Sequence, residues 1–146
     1  MVRLSVVMIV KNEAPTLAAC LEKLTWADEI VVLDSGSSDD TIEVARRYTN
    51  KVFTATDWLG FGAQRQRAQS YATGDWVLMV DADEILTPEL TVELRAVVEN
   101  DKSLSSVYAL PRLSCCFGRF IRHSGWYPDY VVRLYPRERA GYNAAR

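Results

Sequence analysis

Asp81-Ala82-Asp83 places two carboxylates directly after the apolar run Trp76-Val77-Leu78-Met79-Val80. Oxygen donors of this kind, with no His or Cys partner, suit Mg²⁺ or Mn²⁺ and leave coordination positions for water and phosphate. In an extended segment residues two apart point the same way, so both acids can aim at one spot. Alone, an Asp-x-Asp is more often a solvated turn or the acid that opens the next helix. Two further polar stretches follow apolar runs in the same manner: Lys11-Asn12-Glu13 after Leu4-Ser5-Val6-Val7-Met8-Ile9-Val10, and Asp34-Ser35-Gly36-Ser37-Ser38-Asp39-Asp40 after Glu29-Ile30-Val31-Val32-Leu33.

These apolar runs are short, rich in β-branched residues and almost uninterrupted, which is the pattern of strands buried on both faces. Between them lie helical segments. Pro15 opens one whose Leu17, Cys20, Leu21 and Leu24 recur at helical spacing, and a helix from about Thr41 to Tyr48 follows, with Asp39 and Asp40 as caps before ligands. Val52-Phe53-Thr54 predicts a third strand, and the glycine-punctuated 58–62 leads into a Gln/Arg/Ala helix ending near Ala72. Thr87 and Pro88 read as N-cap and first residue of another helix, and Val107-Tyr108-Ala109-Leu110 as a fifth strand. Strands alternating with helices predict an α/β fold with a mainly parallel, doubly wound sheet and helices on both faces. Ligands of such sheets lie beyond the carboxyl ends of the strands, so the three polar loops converge on one crevice.

Composition narrows the classes. With 146 residues, 49% hydrophobic and 25% charged, the chain has the statistics of a globular domain with a real core. A formal net charge of -2 gives no electrostatic footprint for nucleic acid. Cys20 and the adjacent Cys115-Cys116 form neither a disulfide framework nor a zinc spacing, so a reducing, cytoplasmic compartment is expected. No signal peptide and no membrane span are expected. The first loop contains no glycine, which argues against a Walker loop and a dinucleotide fingerprint. Beyond Pro111, Arg112, Arg119, Arg122, Arg133, Arg137 and Arg139 alternate with aromatic residues, giving either a mixed surface or a basic rim for an anionic acceptor. His123 in this segment reads as structural or acceptor-contacting, because no second ligand completes a metal site.

Three segments in order, each at a strand end, resemble family 2 glycosyltransferases of the GT-A fold: the strand ending in Lys11-Asn12-Glu13, the stretch Val32 to Thr41, and Gly74-Asp75-Trp76 through Asp81-Ala82-Asp83. Phe61-Gly62-Ala63-Gln64-Arg65-Gln66 and His123-Ser124-Gly125-Trp126-Tyr127-Pro128-Asp129-Tyr130 are similar to the branch that includes lipopolysaccharide inner-core glucosyltransferases. The resemblance implies a metal-dependent, inverting transfer of a sugar, glucose above all, from a UDP-sugar to a saccharide or glycolipid acceptor such as lipopolysaccharide core. It implies that Asp34 reads the nucleotide base, that Lys11, Asn12 and Glu13 line base and ribose, and that Arg65 lies near the donor. Asp83 would be the principal metal ligand, with Asp81 on the ribose side or the metal.

The family's base comes from beyond the fifth strand, where Asp129 is the only acid between Asp101 and Glu138 and hence the candidate. Residues 1–110 would then be the donor-binding domain and 111–146 the start of an acceptor-side segment. Members of this branch continue past this region, so a C-terminally short chain is expected, and with it the alternative of a nucleotide-sugar-binding domain without turnover. Peripheral association with the inner face of a bacterial membrane is implied by the resemblance alone. A nucleotidyltransferase ranks last, because its first loop needs glycines and more basic residues to grip a triphosphate.

Overall fold

The computed structural model describes residues 3–100, 108–111, 121–122 and 130–137. Strands β1 (Leu4–Val10), β2 (Glu29–Asp34), β3 (Lys51–Thr54) and β4 (Trp76–Met79) alternate with helices α1 (Ala14–Glu22), α2 (Thr41–Arg46) and α3 (Phe61–Gln69). Helix α4 (Pro88–Asn100) and strands β5 (Tyr108–Pro111), β6 (Ile121–Arg122) and β7 (Tyr130–Pro136) complete the described elements. One sheet contains all the strands in the order β3-β2-β1-β4-β7-β5-β6. Its pairs are parallel from β3 to β4, whereas β7 is antiparallel to both β4 and β5, and β6 is antiparallel to β5.

The near-continuous apolar runs have the expected cause, since every residue of β2 and β4 is buried. Alternate residues of β1 divide between two cores. Val6, Met8 and Val10 pack with Leu17, Cys20 and Leu21 of α1, Val44 and Ala45 of α2, and Leu90, Leu94 and Val98 of α4. Val7 joins Val77 and Met79 with Ala68 of α3 and Tyr135 of β7 on the other face. Helices therefore cover both faces of the α/β sheet, and the apolar stripes of α1 and α4 fall where helical spacing puts them.

Two expectations change. The fifth strand exists, shifted by one residue from the expected 107–110, and its neighbour in the sheet is not β4. Strand β7 lies between them, with Leu78 opposite Leu134. The basic-aromatic segment thus supplies an internal strand, and Arg133 within it is 6% exposed, not part of a rim. The acids also do not sit on an extended segment. Residues 82–83 turn, closed by the Glu84 amide donating to the Asp81 carbonyl at 3.0 Å, and the turn rather than strand alternation sets their direction.

Candidate active site

Register brings the loops together. Val10 pairs with Asp34, and Asp34 with Thr54, so three strands end in one row, and β4 stops beside β1 with Met79 against Val7. At this edge lies a cavity of about 570 Å³, within the range of about 300–1,000 Å³ usual for small-molecule sites. Lys11 and Glu13 line it from the first loop, Ser35 from the second, Thr56, Trp58, Phe61 and Arg65 from the β3–α3 connection and α3, and Asp81 and Asp83 from the turn after β4.

The remaining sequence-predicted residues build the wall rather than line the cavity. Asn12 has φ 54°, a left-handed conformation that Asn tolerates better than most side chains. Its amide donates to Ser37 Oγ at 2.8 Å and its Oδ1 accepts from the Ser38 amide at 2.8 Å. Asp34 is 1% exposed, and its Oδ2 accepts from the amides of Gly36 at 2.9 Å and Ser37 at 2.8 Å while Oδ1 accepts from the Ser37 hydroxyl. An Asp whose side chain bonds the backbone two residues on is an Asx turn, and this one shapes the second loop. Gly36 stands within it at φ 114°.

Asp39 accepts from the amide and hydroxyl of Thr41, and the hydroxyl bond holds the Asp39 carboxyl below its ordinary range. Thr41 Oγ1 accepts in turn from the Glu13 amide at 2.9 Å, and Asp39 Oδ2 from the Ala14 amide at 3.4 Å. The first turn of α1 is therefore capped by the second loop. Asp40, at the N-cap position of α2, makes no side-chain capping bond.

Asp81 and Asp83 both reach the cavity, Asp83 exposed and the Asp81 side chain 43% exposed. Asp81 lies between two arginines, with Arg65 Nη2 3.6 Å from Oδ1 and Arg133 Nη2 3.6 Å from Oδ2. Arg65 also sits over the Phe61 ring, 5.3 Å from its centroid, and Phe61 meets Trp58 edge to face at 4.9 Å. Among the described residues no cluster of three or more His, Cys, Asp or Glu side chains could enclose a metal ion. Two hard carboxylates at an open cavity nevertheless fit a cation that takes its remaining ligands from water and a diphosphate, as Mg²⁺ does, and not a closed structural zinc site.

Cys20 lies behind this turn, its Sγ 3.6 Å from the Asp81 carbonyl. Burial, reinforced by Glu84, Asp83 and Asp81, pushes its thiol up to about 12, so it stays protonated and inert at neutral pH. Asp129, His123, Cys115 and Cys116 lie outside the described residues.

Two residues to which the sequence assigns no role also shape the cavity. Gln64 is wholly buried and donates to Ser35 Oγ at 3.0 Å and the Ala55 carbonyl at 2.9 Å, tying α3 to two strand ends. Arg67 grips both carboxylate oxygens of Asp57 at 2.9 and 2.8 Å, which fixes the loop before Trp58 and lowers the Asp57 pKa. Gln64 falls in the family-like segment Phe61 to Gln66, but neither its buried position nor the Arg67–Asp57 pair follows from that likeness.

A sheet of this order, with helices on both faces, is a GT-A-type α/β fold, and acids and an arginine stand at its carboxyl edge. The chain belongs to glycosyl transferase family 2, whose model matches residues 5–144. It is 41% identical over 107 residues to a TPR repeat-containing protein of Synechococcus elongatus, covering 72% of this chain and 26% of that protein. It is 35% identical over 91 residues to the lipopolysaccharide core biosynthesis glycosyltransferase LpsC of Rhizobium meliloti, covering 60% and 34%. Glucosyl-3-phosphoglycerate synthase from Mycobacterium tuberculosis, solved with Mn²⁺ and UDP-glucose, superposes with a TM-score of 0.60 at 25% identity, covering 72% of this chain and 42% of that one. The chain spans a quarter to two fifths of the length of these proteins.

Proposed function

We propose that this chain binds a UDP-sugar with a divalent cation and serves an inverting transfer of the sugar, glucose in the first instance, to a saccharide acceptor of the lipopolysaccharide-core type. The observation that carries this reading is the meeting of Arg65, Asp81 and Asp83 with the first two strand-end loops around one cavity. UDP-glucose and Mn²⁺ in the similar Mycobacterium structure support the donor and the metal, and the likeness to LpsC supports the acceptor class. A glycolipid acceptor would bring the chain to a membrane face. No helix among the described residues is long and apolar enough to cross a bilayer.

Asp83 and Asp81 would hold the cation, Mg²⁺ or Mn²⁺, which supplies positive charge against the negative charge building on the departing nucleoside diphosphate. Arg65 adds a guanidinium on the same side of the cavity, and its stacking on Phe61 limits the directions it can take. Lys11 and Glu13 border base and ribose. Asn12 acts through the loop it pins, and any contact between Asp34 and the base uses a carboxylate already engaged by its own loop. We assign donor binding to residues 1–110 and the acceptor side to 111–146, with Asp129 as the carboxylate that takes the acceptor proton for in-line attack at the anomeric carbon.

Calorimetric titration with UDP, with Mn²⁺ or with chelator, tests donor binding, and product formation from UDP-glucose and a heptose-containing core acceptor tests transfer. Metal-dependent UDP binding with product supports the full reading. Binding without product assigns the chain to donor binding alone, and no UDP binding in Mn²⁺ refutes both.

A further inference from the structure

Arg133 and Glu84 form a pair that neither the Asp-x-Asp spacing nor the cavity lining accounts for. Their side chains are 8% and 6% exposed, and Arg133 Nη2 donates to Glu84 Oε2 at 2.8 Å. Taking two charges out of water is unfavourable unless their geometry is good and other bonds complete it. Three further contacts of the pair lead to the turn after β4. Glu84 Oε1 accepts from the Asp81 amide at 2.8 Å, closing a second ring over the turn that the Glu84 amide already closes onto the Asp81 carbonyl. Arg133 Nη1 donates to the carbonyl of Met79, the last residue of β4, at 3.4 Å. The same Nη2 that holds Glu84 lies 3.6 Å from Asp81 Oδ2, whereas Arg65, a cavity-lining residue, approaches Oδ1.

We infer that Arg133, acting through Glu84, is the positioning residue of the carboxylate turn: it fixes Asp81 from behind through Oδ2, so that Oδ1 is presented to the cavity where a divalent cation and a diphosphate bind. This inference rests on the proposed metal-dependent donor binding. The buried pair holds the backbone of the turn, and the guanidinium holds the Oδ2 side of Asp81, which turns Oδ1 toward Arg65 and the cavity. Arg133 can do this because β7 is the antiparallel neighbour of β4, with Leu134 opposite Leu78, which brings the following turn within reach of its side chain.

The test measures UDP affinity of the whole chain with Mn²⁺ and with chelator, for the wild type, Arg133→Lys, Arg133→Met and the double variant Glu84→Gln/Arg133→Met. The double variant removes both charges of the Arg133–Glu84 pair together, and the carboxamide oxygen of Glu84→Gln can still accept from the Asp81 amide, so it is the arm chosen to stay folded, checked by circular dichroism. Residues that orient metal ligands typically contribute about 10–100-fold in metal affinity. Expected is a loss of about ten-fold or more in Mn²⁺-dependent UDP affinity for Arg133→Met and the double variant, a smaller loss for Arg133→Lys, and little change in chelator. A merely structural role would lower both affinities together or neither, and either result overturns the inference. If the wild type itself shows no response to Mn²⁺, the donor-site reading fails and the inference falls with it. A wild-type response retained in full by the folded double variant removes the inference alone.

Discussion

Asp34 and Asp83 are both acids at strand ends of one sheet edge, yet burial gives them opposite work. Asp34 is 1% exposed and its two oxygens accept from Gly36 and Ser37. Bonds to a charged acceptor contribute about 1.5–3 kcal/mol each and are not simply additive. We expect Asp34→Ala to lower unfolding stability by about 2–4 kcal/mol in urea denaturation, because it leaves two loop amides without their acceptor. Asp83 is exposed, so Asp83→Asn should change stability by no more than about 0.5 kcal/mol while abolishing the Mn²⁺ dependence of UDP binding. Equal effects of the two substitutions on stability would refute this division. The sequence shows both acids but not the difference. That Asp34 bonds its own loop depends on the path of residues 35–37, and Arg133 becomes legible as a buried charge only once Glu84, 49 positions away, is known to face it.

Elements are more legible than side-chain roles wherever one local force dominates. Thr87 and Pro88 mark the start of α4 as expected, and Thr87 Oγ1 accepts from the Leu90 amide at 3.1 Å. The apolar runs of β1, β2 and β4 need only the rule that parallel strands are covered on both faces. Strand β7 escapes a reading of the sequence because Arg133 interrupts Val131-Val132 and Leu134-Tyr135, and a charge in the middle of a run reads as surface until its partner is known. Gly74 matters for packing, since a Cβ there would stand 2.6 Å from Ser5 Oγ, 2.9 Å from the Ser5 amide nitrogen and 3.0 Å from the Arg3 carbonyl oxygen. A hydroxyl can rotate away but the backbone of β1 cannot. Gly74→Ala should therefore cost about 1–3 kcal/mol by overpacking, against about 1 kcal/mol for the lost cap in Thr87→Ala. Thermal melts of the two variants should rank in that order, and the reverse ranking would show that the sheet yields at this point.

Across the whole molecule, the candidate binding cavity and a buried polar cluster occupy opposite edges of the parallel sheet. The cavity lies at the carboxyl ends of the strands, and at their amino ends Glu29, 8% exposed, joins successive elements. It sits at the start of β2, accepts from Ser5 Oγ of β1 at 2.6 Å, pairs with Lys51 of β3, and accepts from the amide and hydroxyl of Thr73, just before β4, at 2.8 and 3.0 Å. Burial by itself would raise this carboxyl, but the bonds from Lys51, Ser5 and Thr73 outweigh it and hold the pKa at about 2, below the ordinary 4.5. A carboxyl depressed on folding stabilises the native state fully above its unfolded value, and that contribution disappears as pH falls toward the folded value. Stability should therefore be unaffected by this group above the unfolded value of 4.5 and decline progressively toward pH 2. Glu29→Gln cannot titrate, so its stability, lower near neutrality, should show a shallower slope across that window in urea unfolding measured pH by pH. Parallel slopes for wild type and variant would place the acid sensitivity in other carboxylates. The affinity for UDP at neutral pH should be little changed in Glu29→Gln, because the substitution loosens the edge of the sheet that does not meet the ligand.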